Sequence, residues 1–262
     1  MSKNPEDPTS LDDLRELLIR LRGDKGCPWD RKQDPESLKI YLLEEAYELA
    51  DALDRREIDD IREELGDLLF QIVFLSRLYE EQGLFDLDQV LETIHRKMVR
   101  RHPHVFGNEN WETPREVVRG WQELKKAEKK EADPFASVPI NLPPLLKAHR
   151  ISERAAGLGF DWPDLSGVLD KVREEMKELE EALREGNRSL AGEELGDLLF
   201  SLVNLGRFLE IPAENALRKT IQKFSKRFAF MLEQLPDRDK GTSSRPLEEW
   251  EKMWVQSKRK VK

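Results

Sequence analysis

The chain has a single cysteine, Cys27, in 262 residues. An intrachain disulfide is therefore excluded, and a reducing compartment is the expected setting. No stretch approaches the ~18 consecutive apolar residues that a membrane-spanning helix needs, and no apolar h-region opens the sequence. The first ten residues, MSKNPEDPTS, read instead as a polar, proline-containing tail. A cytoplasmic protein without membrane contact is expected. Basic residues are in deficit: 44 Lys and Arg stand against 53 Asp and Glu, a formal net charge of −9. Stable nucleic-acid binding is not expected of such a surface. A phosphorylated small molecule held in a local basic pocket remains compatible with it. Strand-like alternation with hairpin signals is also missing, which leaves helices.

What is present is a repeat. The octapeptide EELGDLLF occurs at 63–70 and again at 193–200, an offset of 130 residues. The same offset aligns LEEAYELADAL (43–53) with REEMKELEEAL (173–183), so Glu44, Glu45 and Glu48 correspond to Glu174, Glu175 and Glu178. In both copies 15 residues separate the last of these glutamates from Glu64 or Glu194. The chain is a duplication. Between the halves, a charge run followed by prolines at 134, 139, 143 and 144 reads as a linker. Residues 9–130 and 145–262 are the expected domains, with 131–144 joining them.

Helical periodicity fills both halves. Ser10 with Asp13 is expected to form a capping box opening a helix at LDDLRELLIRLR. Leu42, Leu43, Ala46, Leu49, Ala50 and Leu53 share one face of a second helix. Segments 58–82 and about 86–100 follow as further helices. Each half is then an all-α unit with two long central helices, and two such units can pair into a four-helix-bundle layer.

Residues three apart on a helix lie on the same side. Glu45 with Glu48, and Glu64 with Asp67, are such pairs, repeated as Glu175 with Glu178 and Glu194 with Asp197. A short connection makes the two helices antiparallel, so that four carboxylates converge. Hard oxygen donors at that density suit Mg²⁺, with Mn²⁺ as an alternative, rather than zinc. The competing reading is a solvated acidic face, natural in a chain this charged. Two features argue against it. Asp67 and Asp197 sit among leucine and phenylalanine, where burial would make a free carboxylate costly. Gly66 and Gly196 sit mid-helix, where glycine costs about 1 kcal/mol and points to a close approach by backbone or ligand.

In combination, E-E-x-x-E and E-x-x-D on paired helices, GCPWD (26–30), SLKIYLLEEAYEL (37–49), RRHPHVFG (100–107) and GFDW (159–162) resemble the MazG family within the all-α nucleoside triphosphate pyrophosphohydrolases. QDPESL (33–38) departs from the family's common Q-T-H-x-S-L run. The resemblance implies tandem MazG-like domains, a homodimer whose sites are built by helices of two subunits, and Mg²⁺-dependent cleavage of NTPs and dNTPs. Cleavage between the α and β phosphates would give nucleoside monophosphate and pyrophosphate.

Such hydrolysis needs charge neutralisation, a positioned water and a base. Metal ions can bind the phosphate oxygens and lower the pKa of a water. Glu44 and Glu174, rotated about a hundred degrees from the ligand pairs, are the candidate bases. Lys97 with Arg101, and Lys223 with Arg227, are basic pairs one helical turn apart that recur in both halves, which favours phosphate binding over a solvated face. Trp254 and Lys258 match Trp121 and Lys125, and Trp29 aligns with Trp162. A tryptophan is more often a core anchor than a stacking platform, but Trp254 with Lys258 could close over a nucleotide. Asn204 could read a base edge, with Ser or Leu around the matching place in the first half. His102 and His104 have no counterpart in the second half, so they read as loop packing, and Cys27 as structural.

Both halves retain every acid and the basic pair, so two competent sites are expected. The C-terminal half is favoured as the main centre because it keeps Trp254 and Lys258 at the chain end, as family members do. The competing class is a regulatory or partner-binding helical dimer in which one or both repeats are structural. Metal storage is disfavoured by the missing histidines.

Overall fold

The computed structural model describes residues 10–128, 133–235 and 245–261. The polar tail up to residue 9 and the first two residues of the expected linker lie outside these. Among the described residues there are twelve helices and no strand. Two compact units divide the chain, Met1–Lys130 and Glu131–Lys262.

The first unit contains α1 (Leu11–Arg22), α2 (Pro28–Lys32), α3 (Pro35–Arg55), α4 (Ile58–Glu81), α5 (Leu87–Arg101), α6 (Pro103–Phe106) and α7 (Pro114–Glu128). Its helix starts follow local chemistry. Ser10 and Asp13 form the reciprocal capping box expected of α1, with the Asp13 carboxylate accepting from Ser10 N at 2.7 Å. Asp34 and Asp86 cap α3 and α5 in the same way. Helix α3 ends where Arg56 turns left-handed at φ 60°, and α4 begins two residues later. So short a link folds α3 and α4 into a helical hairpin.

The core of this unit gathers Leu18, Leu38, Val73, Phe74, Leu78 and Leu87. Burying each of these side chains contributes roughly 1.5–3 kcal/mol. Arg22 ties the layers together: its guanidinium lies 5.5 Å from the Phe74 ring centroid, pairs with Glu81 at 2.8 Å and donates to the carbonyl of Asp30. His102 and His104 have packing roles, but His104 lies in the short helix α6 with His102 as its N-cap, where a loop was expected. His102 Nδ1 lies 2.6 Å from the Met98 carbonyl, and His104 stacks on Trp111 at 4.7 Å.

The second unit contains α8 (Pro144–Ala156), α9 (Leu165–Arg184), α10 (Arg188–Phe208), α11 (Ala213–Glu233) and α12 (Leu247–Lys260). Asp164 caps α9 through the backbone N–H groups of Ser166 and Gly167. The left-handed position that ends α3 at Arg56 recurs 130 residues on at Gly186, φ 70°, so α9 and α10 form the same hairpin. Val168, Ala182, Leu198, Val203 and Met231 are buried here.

The long helices are not covered all round. Leu65, Leu69 and Ile72 on α4 are 41–53% exposed, and their equivalents Leu195, Leu199 and Leu202 on α10 are 42–48% exposed. Leu43 and Leu53 of the expected α3 face are also more than half exposed. The burial anticipated for Asp67 and Asp197 is therefore absent: both are exposed, because the apolar residues beside them are themselves uncovered within the chain. Gly66 and Gly196 likewise show no close approach, since a Cβ at either would meet nothing within 4 Å.

Candidate metal and nucleotide site

Each helical hairpin brings acids together. In the first unit, one carboxylate oxygen each from Glu45 on α3 and from Glu64 and Asp67 on α4 lie within 4.8 Å of one another. In the second, Glu175 on α9 and Glu194 and Asp197 on α10 do the same. Glu48 stands beside the first trio, lining with Glu64, Tyr47, Asp51 and Arg55 a cleft of about 410 Å³. Exposed Glu178 faces Glu194 closely enough to raise its pKa.

Electrostatics in these clusters is repulsive. Partial burial, then the charge of Asp67, pushes the Glu45 carboxyl above its ordinary range. Glu64 is raised by desolvation and then by Glu48, and Glu194 by desolvation and then by Glu178. Like charges held this close favour a shared proton or a cation. The donor set is all carboxylate oxygen, so it fits a hard divalent ion and offers nothing to a soft one.

The helices carrying these clusters also carry a family signature. The model of the MazG nucleotide pyrophosphohydrolase domain matches twice, over residues 33–106 and 165–229. The chain belongs to the MazG family. A Thermotoga maritima relative named nucleoside triphosphate pyrophosphohydrolase/pyrophosphatase MazG is 43% identical over 250 residues, 95% of each chain. The Escherichia coli K12 nucleoside triphosphate pyrophosphohydrolase is 40% identical over 255 residues, 95% of this chain and 97% of its own. Bacillus subtilis YabN, an uncharacterized protein, is 42% identical over 251 residues, which make up 51% of its length.

Around the MazG hairpins, the remaining sequence candidates separate. Arg227, Trp254 and Lys258 come together where α11 meets α12: the Arg227 guanidinium and the Lys258 ammonium each lie 5.9 Å from the Trp254 ring centroid. Phe224 packs on the same ring at 5.1 Å, and Arg227 Nε donates to the Val261 carbonyl at 3.2 Å. Lys223 is exposed one turn away on α11. In the first half Lys97 is half-buried on α5, and the side chain of Lys125 lies outside the described residues.

Arg101 departs from the expectation of a phosphate ligand. It is buried, and its guanidinium is held by Glu128 of α7 at 2.5 Å. That pairing, reinforced by Arg100, draws the Glu128 carboxyl down to about 2. Asn204 departs too. Its side chain is 2% exposed, donates to the Phe200 carbonyl at 3.2 Å and accepts from Arg207 at 3.4 Å, leaving no open edge for a base. The helix register puts buried Phe74, rather than Ser or Leu, at its place in the first half.

Glu44 and Glu174 are exposed at the cluster margins, and Glu174 pairs with Lys171 at 2.8 Å. Sequence reasoning did not single out Lys171, Gln71, Tyr47 or Arg55, all of which stand at these clusters. Gln71 reaches toward Glu45 at 3.4 Å. The signal for Lys171 was available in its spacing, one helical turn before Glu174 and Glu175, and that for Gln71 in its place one turn beyond Asp67.

Proposed function

We propose that this MazG-family chain hydrolyses NTPs and dNTPs between the α and β phosphates, releasing nucleoside monophosphate and pyrophosphate. Divalent ions, Mg²⁺ or Mn²⁺, would be held at the two acidic clusters. The observation that carries this reading is the recurrence of the same three-carboxylate cluster on both hairpins matched by the family model. The names of the Thermotoga and Escherichia relatives supply the substrate class. A bound divalent ion supplies charge neutralisation at the phosphates and lowers the pKa of water.

The chain's own residues do the rest. Glu45, Glu48, Glu64 and Asp67, and their counterparts Glu175, Glu178, Glu194 and Asp197, hold the ions. Glu44 and Glu174, at the cluster margins, accept the proton of the attacking water. Arg227, Lys223 and Lys258 bind phosphate charge, and Trp254 offers a ring face to the base. The gathering of Arg227, Trp254 and Lys258 supports the C-terminal repeat as the main catalytic centre. Commitment of Arg101 to Glu128 favours a structural or binding role for the N-terminal repeat. The twice-repeated stripe of Leu65, Leu69 and Ile72 supports a homodimer that covers it, completing a four-helix layer. No described helix is long and apolar enough to cross a membrane, which is compatible with a cytoplasmic enzyme.

The test is release of pyrophosphate rather than orthophosphate from a panel of NTPs and dNTPs, with Mg²⁺ and then with chelator. Metal-dependent pyrophosphate release is expected. Its absence across the panel would leave the partner-binding alternative. Glu178→Ala should abolish most turnover and Glu48→Ala little of it, and the reverse pattern would move the main centre to the N-terminal repeat.

A further inference from the structure

The two clusters share their acids but not their surroundings. At the 130-residue offset Lys171 falls opposite Tyr41. Tyr41 turns to the core side of α3, with its ring 5.7 Å from Trp29 in an edge-to-face contact. Lys171 turns to the acids: its Nζ lies 2.6 Å from Glu175 and 2.8 Å from Glu174. Glu175 is also the most buried carboxylate of either cluster, 4% exposed, whereas Glu45 is half-buried and, among the described residues, is met by the Gln71 amide at 3.4 Å. Among the described residues, the buried acid of the C-terminal cluster thus has a cation of its own chain against it, whereas Arg55, the cation lining the N-terminal cleft, pairs with Asp51, Glu57 and Asp60 and not with Glu45.

We infer that Lys171 is a resident counter-cation of the C-terminal cluster, which an incoming divalent ion must displace from Glu175, so that this cluster binds the ion more weakly than its N-terminal twin. This role of Lys171 rests on the two clusters being the metal sites proposed above. Both twins bring three carboxylates within 4.8 Å, so their attraction for a cation differs chiefly in what already neutralises it. A charge-assisted bond to a nearly buried carboxylate is among the stronger polar contacts, and giving it up offsets part of the gain from binding an ion. Breaking one such bond corresponds to about tenfold in affinity. One chain would then carry a cluster that stays filled and another that fills and empties with the supply of free ion.

The experiment is Mn²⁺ binding to the full chain, followed by electron paramagnetic resonance. Two affinity classes are expected, the tighter lost in Glu64→Gln and the weaker in Glu194→Gln. Lys171→Met should tighten the weaker class about tenfold and leave the tighter one unmoved. Should that variant not fold, the wild-type lysine side-chain resonance absent from Lys171→Arg serves instead, read by NMR during Mg²⁺ titration. It should shift as the weaker class fills and stay still while the tighter one does. No Mn²⁺ binding at all would overturn the metal reading itself. Equal affinities, a weaker class unchanged or weakened by Lys171→Met, or a Lys171 resonance indifferent to Mg²⁺ would overturn the role of Lys171 while leaving the metal reading intact.

Discussion

Glu45→Gln should change stability in opposite directions with and without metal. Glu45 and Asp67 present oxygens within 4.8 Å of each other on facing helices. At that separation two unit charges repel by about 0.9 kcal/mol in water (dielectric about 80) and about 3.5 kcal/mol at an effective dielectric of about 20. Glu45 is only half-buried and Asp67 is exposed, so solvent screening holds the value near the lower figure. Removing the charge should therefore stabilise the metal-free protein by about 1 kcal/mol, a rise of a few degrees in melting temperature. The same change removes a donor, so the extra stability contributed by saturating Mn²⁺ should shrink. Thermal unfolding followed by circular dichroism, in chelator and then in Mn²⁺, reads both effects. Glu36→Gln is the control, on the same helix but with an 84% exposed side chain. A metal-free Glu45→Gln protein no more stable than wild type, together with an undiminished Mn²⁺ effect, would show that these acids are ordinary surface charge.

Three further outcomes follow from the same geometry. Arg101→Met should cost about 1–3 kcal/mol in urea unfolding, because it strips a buried guanidinium from Glu128 and frees the end of α7; an unchanged midpoint would show that the pair contributes nothing. Trp254→Leu should raise KM for ATP several-fold with little loss of kcat, as expected for uniform binding by a stacking face; a selective fall in kcat would place the ring in the chemistry instead. Glu45, Glu64 and Glu194 all have raised pKa values, so their stabilising contribution is full below the ordinary value of 4.5 and is lost as pH rises through the raised ones. The stability advantage of metal-free Glu45→Gln over wild type should accordingly narrow as pH falls toward that ordinary value, while the Mn²⁺-induced gain of wild type falls as protons compete for the same oxygens, and an advantage that widens on acidification would refute the sign.

The helices were legible because what makes them is local. Capping by Ser10 and Asp13, the 3.6-residue recurrence of leucines and the break after Arg55 all act within a few residues. Three of the four acids expected to converge in each half were legible for the same reason, while Glu48 and Glu178, one turn further along, stand outside the trios. Asp67 and Asp197 were misjudged because leucine neighbours were equated with burial, although an apolar stripe is buried only when something covers it.

The sequence by itself determined that this is an all-helical duplication and which acids can meet. Tertiary structure alone decided which charged and polar groups remain available. Arg101 is taken by Glu128, 27 residues away and on another helix, and Asn204, whose hydrogen bonds to Phe200 and Arg207 stay within α10, is closed off by burial. The Lys171–Glu175 pair, by contrast, spans one turn of α9 and was readable from its spacing; only the depth at which that carboxylate lies was decided by packing. The physical reason is that helix formation and side-chain spacing are set over one or two turns, whereas the partner of a charge is set by whichever element packs against it. The duplicated acidic cassette is thus the same in both halves as sequence, and different in each as a site.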